Sequence, residues 1–143
     1  MIREINCNDY RQLMELYLHL HETEVPPFAN AKDIWEKILS DDNYHIIVAE
    51  EDGKLVSSCT CVIIPNLTRG PRPYAWVENV VTHEDYRGKG LATSCLNYAK
   101  ELAIKENCYR IVLMTGSKLD STLKFYENAG YNRDDKTGFI QWL

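Results

Sequence analysis

The chain lacks any run of about 20 apolar residues, the length that a helix needs to cross a bilayer. We therefore expect no transmembrane helix. A surplus of positive charge is also missing, since 21 acidic residues against 16 basic ones give a formal net charge of −5. General attraction to nucleic acid or acidic membranes is not expected. The first residues form no signal-peptide pattern, so we expect a cytoplasmic protein.

The five cysteines lack the spacing of a metal site or a disulfide framework. Their number is odd and no Cys-x-x-Cys motif occurs. Cys59 and Cys61 would share one face of a strand, but no second pair of ligands accompanies them. We therefore expect buried free thiols and no bound metal.

The length of 143 residues is typical of one domain, and no repeat or linker divides the chain. We expect a single domain over residues 1–143. Apolar periodicity and turn residues predict these elements: a strand over Ile2–Asn6, a helix capped by Asn8 or Asp9, a helix over Ala31–Leu39, strands over Tyr44–Glu50, Lys54–Ile64 and Tyr74–Thr82, a helix over Leu91–Glu106, a strand over Arg110–Thr115, a helix over Leu119–Ala129 ended by Gly130, and a strand over Phe139–Leu143. This order predicts an α/β protein with a mixed sheet. In the second helix, Ile34, Trp35 and Ile38 are expected to face inward.

The most informative stretch runs from Val80 to Ala92, where an apolar strand leads through a basic loop into a helix. Gly88 and Gly90 lack a Cβ, so their backbone can approach a ligand closely. The helix begins with unpaired N–H groups and the positive end of its dipole, which favour phosphate. Arg87 and Lys89 add positive charge beside these amides. The stretch therefore predicts a pyrophosphate-binding loop.

Two familiar phosphate loops do not match this stretch. A Walker loop needs Gly-x-x-x-x-Gly-Lys before Ser or Thr, and a Rossmann fingerprint needs three spaced glycines. A dinucleotide-binding oxidoreductase stays open as an alternative. A turn that only caps a helix would also explain Gly88 and Gly90.

Two motifs resemble those of the GNAT N-acetyltransferase superfamily. Arg87-x-x-Gly90-x-Ala92 resembles its acetyl-CoA-binding signature, Gln/Arg-x-x-Gly-x-Gly/Ala. Further on, Phe125-Tyr126-Glu127-Asn128-Ala129-Gly130-Tyr131 resembles its second signature, Phe-Tyr-Glu-x-x-Gly-Phe/Tyr. The resemblance implies a GNAT-like acyl-CoA N-acyltransferase fold, with a central mixed β-sheet flanked by about four helices. It also implies acetyl-CoA as the cosubstrate.

The resemblance further implies how acetyl-CoA is held. Val80, Val81 and Thr82 would pair with the pantetheine arm like an added strand, and the Val81 amide would donate to the thioester oxygen. The pyrophosphate would contact the loop and helix start, mostly through backbone N–H groups. This set consists of Arg87, Gly88, Lys89, Gly90, Leu91, Ala92 and Thr93. Leu119 departs from the family pattern, because an Asn that contacts pantetheine is often found there.

Two residues are candidates for catalysis. Tyr126 is the candidate acid for the leaving thiolate, because the family resemblance places this tyrosine near the sulfur. Glu78 is the candidate base, directly or through water. A carboxylate in an apolar strand is costly unless it is used or paired, and burial makes it a stronger base. The alternatives are a Tyr126 that only packs its ring and a Glu78 that pairs structurally with an Arg or Lys.

These features predict an acetyl-CoA-dependent enzyme that acetylates a primary amine of a small molecule or peptide by direct attack in a ternary complex. An amino sugar or aminoglycoside acceptor, and a non-catalytic acyl-CoA-binding sensor, are the alternatives. Val77–Val81 also resembles the strand Ile-Glu-Asp-Ile-Ala of glucosamine 6-phosphate N-acetyltransferases, but Asn79 replaces the second acid. The negative net charge slightly favours a cationic acceptor, and the family resemblance favours a homodimer.

Overall fold

The computed structural model describes all residues from 1 to 143, which form two compact units, Met1–Val112 and Leu113–Leu143. The elements in chain order are β1 (Ile2–Glu4), α1 (Tyr10–Tyr17), α2 (Phe28–Ser40), β2 (Tyr44–Glu51), β3 (Lys54–Ile64), β4 (Tyr74–Thr82), a short 3-10 helix (Glu84–Tyr86), α3 (Leu91–Lys105), β5 (Ile111–Leu113) and α4 (Asp120–Asn128). None of the helices has the length and apolar character needed to span a membrane.

The strands form one sheet in the order β1-β2-β3-β4-β5. From β1 to β4 each strand runs antiparallel to the next, and α3 lies between β4 and β5 in the chain. The predicted α/β class, with a mixed sheet and four helices, is confirmed. The hairpin between β2 and β3 turns at Asp52 and Gly53, whose φ angles of 49° and 76° suit a tight turn of this kind.

α1 and α2 cover one face of the sheet, which we call the α1 face. Leu13 and Leu16, three residues apart on α1, are fully or almost fully buried there. The Tyr10 ring packs edge-on against Trp35 of α2, with 5.4 Å between ring centroids. The other buried members of this core are Ile46, Val48, Leu55 and Val81.

The expectation that Ile34 faces inward is wrong, because its side chain is 61% exposed. The inward positions of Trp35, which is 4% exposed, and of Ile38, which packs against the same core, are confirmed. Ile34 points about 100° away from Trp35 around the helix. Apolar spacing alone did not identify which of the two residues would be buried.

α3 packs against β2, β3 and β4 on the opposite face of the sheet. Its buried residues are mostly small, which lets the helix lie close to the strands; they are Cys95, Leu96, Ala99 and Ala103. Burial raises the pKa of Cys61 to about 12 and that of Cys95 to about 11. Buried free thiols are confirmed for these two residues and for Cys59, but Cys7 is exposed.

Asp9 is the N-cap residue of α1, as predicted, but its side chain makes no capping hydrogen bond. The carboxylate instead accepts hydrogen bonds from the Arg3 guanidinium at 2.6 and 2.9 Å, and from the Asn6 amide at 2.7 Å. Arg3 also donates to Glu50 at 2.9 Å. The Asp9 carboxylate therefore links the start of α1 to β1. It binds the Arg3 guanidinium because a charged donor is a stronger partner than a helix N–H.

In the second unit, α4 ends at Asn128, and Gly130 follows it with a φ of 97°, as predicted for a helix terminator. The predicted strand over Phe139–Leu143 is wrong, because this segment has no strand assignment. Phe139 and Trp142 are 91% and 85% exposed. High β-propensity without a paired neighbour does not make a strand, since the backbone groups need ladder partners.

Candidate active site

β4 carries a β-bulge at the centre of the sheet. Its pairing with β3 shifts by one residue, from Ser58 opposite Val81 to Thr60 opposite Glu78. Asn79 lies within the bulge and adopts a φ of 51°, in the left-handed region that asparagine tolerates better than most residues. The extra residue interrupts the regular ladder at this point.

The bulge places Glu78 and Val81 on the same face of the sheet. Residues directly opposite each other share a face, and Thr60 and Ser58 lie two residues apart on β3. Their partners Glu78 and Val81 are three residues apart and would lie on opposite faces of a regular strand. Because Val81 belongs to the core under α1, Glu78 is on the α1 face as well.

Glu78 is exposed, so the burial expected from its apolar neighbours is not found. Its Oε1 accepts a hydrogen bond of 2.7 Å from the Trp76 indole Nε1. None of the ion pairs of the chain includes Glu78, which argues against structural pairing with an Arg or Lys. An accessible carboxylate held by one neutral donor can still accept a proton from a ligand.

Three hydroxyl groups near Glu78 were not identified from the sequence. The Tyr17 and Thr60 hydroxyl oxygens are buried and have no hydrogen-bond partner. Burial raises the pKa of Tyr17 to about 12. Burial, and then the negative charge of Glu78, raise the pKa of Tyr44. The only sequence signal was a polar triplet inside the apolar β3, namely Ser57, Ser58 and Thr60.

The loop between β4 and α3 contains two glycines in the left-handed region. Gly88 and Gly90 have φ angles of 74° and 77°, which strain any residue with a Cβ. No side chain caps α3, and its first internal bond runs from Ser94 N to Gly90 O at 3.0 Å. The N–H groups of Leu91, Ala92 and Thr93 precede that bond and have no acceptor within the helix. This arrangement fits a pyrophosphate group.

The side chains around this loop are held by their neighbours. Arg87 Nε donates to the Thr82 carbonyl at 3.3 Å. Lys89 Nζ lies 4.5 Å from the centroid of the Tyr86 ring. His83 Nδ1 accepts from the Asp85 amide at 3.2 Å. Tyr86 was not predicted, because nothing in the local pattern marks it as a partner of Lys89.

One continuous strand–loop–helix segment of the first unit therefore contains Glu78, Val80, Val81 and Thr82, followed by the residues from Arg87 to Thr93. Tyr126 lies on α4 in the second unit, where its ring packs edge-on against Phe125 and Tyr131 at centroid distances of 4.9 and 6.3 Å. Its approach to the thioester sulfur stays a prediction.

Comparisons with known proteins show the family of this chain. The model of the acetyltransferase (GNAT) family matches residues 7–131. A glucosamine 6-phosphate N-acetyltransferase from Trypanosoma brucei brucei is 29% identical, over 94% of this chain and 90% of its own length. A solved structure of a putative acetyltransferase from Agrobacterium tumefaciens str. C58 is 37% identical with a TM-score of 0.94, and covers 100% of this chain and 99% of its own.

A second solved structure, glucosamine-6-phosphate N-acetyltransferase from Arabidopsis thaliana, matches with a TM-score of 0.89 at 23% identity, over 99% of this chain and 97% of its own. This likeness concerns the fold. The family model covers most of the chain and includes both the glycine loop and the bulged strand. The chain therefore belongs to the GNAT family of acetyltransferases and is an acetyl-CoA-dependent N-acetyltransferase.

Proposed function

We propose that this enzyme acetylates the primary amine of a small molecule by direct attack on acetyl-CoA in a ternary complex. The observation that carries the proposal is the exposed Glu78 carboxylate beside the β4 bulge. It belongs to the same continuous segment as the glycine loop and the start of α3. A proton acceptor and a phosphate-binding backbone are therefore joined by one short stretch of chain.

The loop and the helix start position the cosubstrate. In this proposal the N–H groups from Gly88 to Thr93 bind the pyrophosphate, and Arg87 and Lys89 add charge beside it. Val80, Val81 and Thr82 pair with the pantetheine arm. Acetyl-CoA supplies the acetyl group as a thioester. Much of the rate enhancement comes from alignment, which can contribute about 7–11 kcal/mol.

Three groups act during transfer. Glu78 accepts a proton from the acceptor ammonium, directly or through water, so that the amine is free to attack. The Val81 amide donates to the thioester oxygen as that oxygen gains negative charge. As the C–S bond breaks, Tyr126 donates its phenolic proton to the leaving sulfur, and the second proton that the nitrogen loses restores the phenol through solvent. Because a thiol has a pKa of roughly 8.5, modest help from Tyr126 is sufficient.

An amino sugar is the second candidate acceptor. The relative from Trypanosoma brucei brucei carries the name glucosamine 6-phosphate N-acetyltransferase, and the identity extends over almost the whole of both chains. Asn79 in place of a second acid makes this chain different at the strand that would face the sugar. A peptide acceptor and a homodimer rest on the family resemblance, and a cytoplasmic location rests on the sequence pattern of the first residues; all three stay proposals.

Release of free CoA from acetyl-CoA, followed with a thiol reagent across a panel of amines, tests the proposal. Glu78→Gln should lower kcat by about 10²-fold or more while the KM for acetyl-CoA stays constant. Glu101→Gln, on the exposed side of α3, is the matched control and should behave as the unsubstituted enzyme. Tyr126→Phe should lower kcat, with Tyr98→Phe as its control.

Three results would contradict this assignment. Full turnover by Glu78→Gln would remove the base from the mechanism. Binding of acetyl-CoA without acetylation of any amine in the panel would instead support the non-catalytic sensor. An acetylated protein in mass spectra after incubation with acetyl-CoA alone would replace direct attack by an acyl-enzyme.

A further inference from the structure

Two arginines without an acidic partner lie beside two tyrosines at the beginning of β4. Arg110 Cζ is 5.0 Å from the centroid of the Tyr74 ring and 5.3 Å from that of Tyr109. Arg69 Cζ is 5.7 Å from the Tyr109 centroid, and the two rings are 6.2 Å apart. We call these four residues the arginine–tyrosine cluster.

The cluster is unusual in a chain with a net charge of −5. None of the ion pairs of the chain involves Arg69 or Arg110, although acidic residues outnumber basic ones. Arg72 in the same loop has a structural task, because it donates to the carbonyl groups of Asn107 and Cys108 at 3.1 Å each. The guanidinium groups of Arg69 and Arg110 have no such task and can bind a ligand.

Arg110 has an unused buried donor. Its Nε has no hydrogen-bond partner and almost no contact with solvent. An unsatisfied buried donor is costly, more so on a charged group. The tyrosine faces attract the cation but do not provide the in-plane acceptor that Nε needs. A planar oxyanion does, because carboxylate and phosphate oxygens match the guanidinium donors in pairs.

The cluster and Glu78 lie along the same face of β4. Tyr74, Trp76 and Glu78 alternate along the strand and oppose Ile64, Val62 and Thr60 of β3, so they share the α1 face. Glu78 lies four positions after Tyr74, which corresponds to about 13 Å between their Cα atoms. The arginine side chains thus lie near Tyr74, at one end of this row of side chains, and the carboxylate of Glu78 lies at the other end.

We propose that the arginine–tyrosine cluster binds an anionic group of the acceptor, an inference that rests on the proposed acetyltransferase function. The acceptor is then a small molecule with a primary amine and a phosphate or carboxylate no more than about 13 Å apart, the span between Tyr74 and Glu78. Arg69 and Arg110 donate hydrogen bonds to the anion, and this contact directs the amine toward Glu78. Such an acceptor differs from the cationic one that the net charge of the chain slightly favours.

Two pairs of amines test this inference and distinguish the two anions. Glucosamine is compared with glucosamine 6-phosphate, and hexylamine with 6-aminohexanoate, by kcat/KM in the full-length protein. We expect the anionic member of one pair to be preferred at least tenfold. Arg110→Gln should reduce that preference at least tenfold, and Arg69→Gln should reduce it severalfold. Arg11→Gln, whose guanidinium is exposed on α1, should leave it unchanged.

Calorimetry with the anionic compounds and CoA-saturated protein separates this inference from the proposed function. Absence of turnover with every amine contradicts the proposed function, whereas absence of Arg110-dependent binding contradicts the anion site. Equal kcat/KM within both pairs, or a preference that survives both Arg110→Gln and Arg69→Gln, would also overturn it. Arg69 is exposed, so its variant gives an answer even if Arg110→Gln does not fold.

Discussion

Trp76 and Glu78 are joined by a hydrogen bond of 2.7 Å from the indole Nε1 to the carboxylate Oε1. Both side chains lie on the α1 face of β4, two residues apart. The indole fixes one oxygen of the carboxylate and leaves the other one accessible. The orientation of the candidate base therefore depends on its neighbour along the strand.

Trp76→Phe keeps an aromatic ring but removes the donor. We expect kcat to fall about fivefold, because a hydrogen bond of this kind contributes about 1 kcal/mol to the orientation of the carboxylate. The KM for acetyl-CoA should not change. Steady-state kinetics measure both values, and Trp142→Phe, 85% exposed in the second unit, is the control. An unchanged kcat would mean that the bond is not used in catalysis.

Asn79 should accept glycine but not valine. A β-branched residue is strongly disfavoured at a φ of 51°, whereas glycine adopts this angle freely. We expect Asn79→Val to lower the free energy of unfolding by about 2 kcal/mol and to reduce turnover. Asn79→Gly should retain both within error. Urea denaturation and the thiol-release assay are the measurements, and equal stability of the two variants would argue against the bulge.

Gly90→Ala should weaken acetyl-CoA binding. A Cβ at a φ of 77° costs about 1–2 kcal/mol, and the loop can relieve that strain only by moving the amides that we propose to bind the pyrophosphate. We expect the Kd for acetyl-CoA, measured by calorimetry, to rise at least tenfold. Gly116→Ala is the matched control, because Gly116 has no positive φ and no neighbour that would clash. Similar Kd values for both variants would argue against pyrophosphate binding by the loop from Arg87 to Thr93.

Removal of the Asp9 carboxylate should destabilise the protein in a pH-dependent way. Hydrogen bonding to the Arg3 guanidinium holds the pKa of Asp9 below its usual value, so the ion pair stabilises the fold above the unfolded-state pKa of about 3.9. That stabilisation is lost as the pH falls through the lower folded-state value. Asp9→Asn should therefore cost about 2 kcal/mol at pH 7 and progressively less below pH 4.

Urea unfolding at several pH values measures this difference. The control is Glu15→Gln, which breaks the exposed pair between Arg11 and Glu15 and should cost at most about 0.5 kcal/mol. If the cost of Asp9→Asn were the same at pH 7 and below pH 4, the ion pair would not be the source of the stability.

Turn residues and apolar runs predicted the bounds of two strands correctly. The bounds of Lys54–Ile64 and Tyr74–Thr82 agree with the structure, because turn residues flank these apolar runs. The helix start at Leu91 after Gly88 and Gly90 was also predicted correctly, whereas phosphate binding by this loop stays a prediction. The strand over Phe139–Leu143 was wrong, because pairing depends on a neighbour that the segment itself does not encode.

The candidate site was only partly predictable for the same reason. Glu78 was identified as a carboxylate in an apolar strand, but its exposure depends on the bulge, and the alternation of residues from Tyr74 to Thr82 does not reveal a one-residue shift. The contact of Arg110 with Tyr74 joins residues 36 positions apart in sequence, and no local pattern marks it. Tertiary contacts decided both features.

The bulge in β4 also affects where a sheet can contact a ligand. In a regular ladder the neighbouring strands use the backbone amides, so a sheet has few amides to offer a ligand from its interior. One additional residue disrupts the ladder locally in the middle of β4, while the strand stays paired on both sides of it. In the proposed enzyme, Glu78 lies in this paired strand and Arg69 lies in a loop. Substitutions around Arg69 are therefore expected to change the acceptor without displacing Glu78.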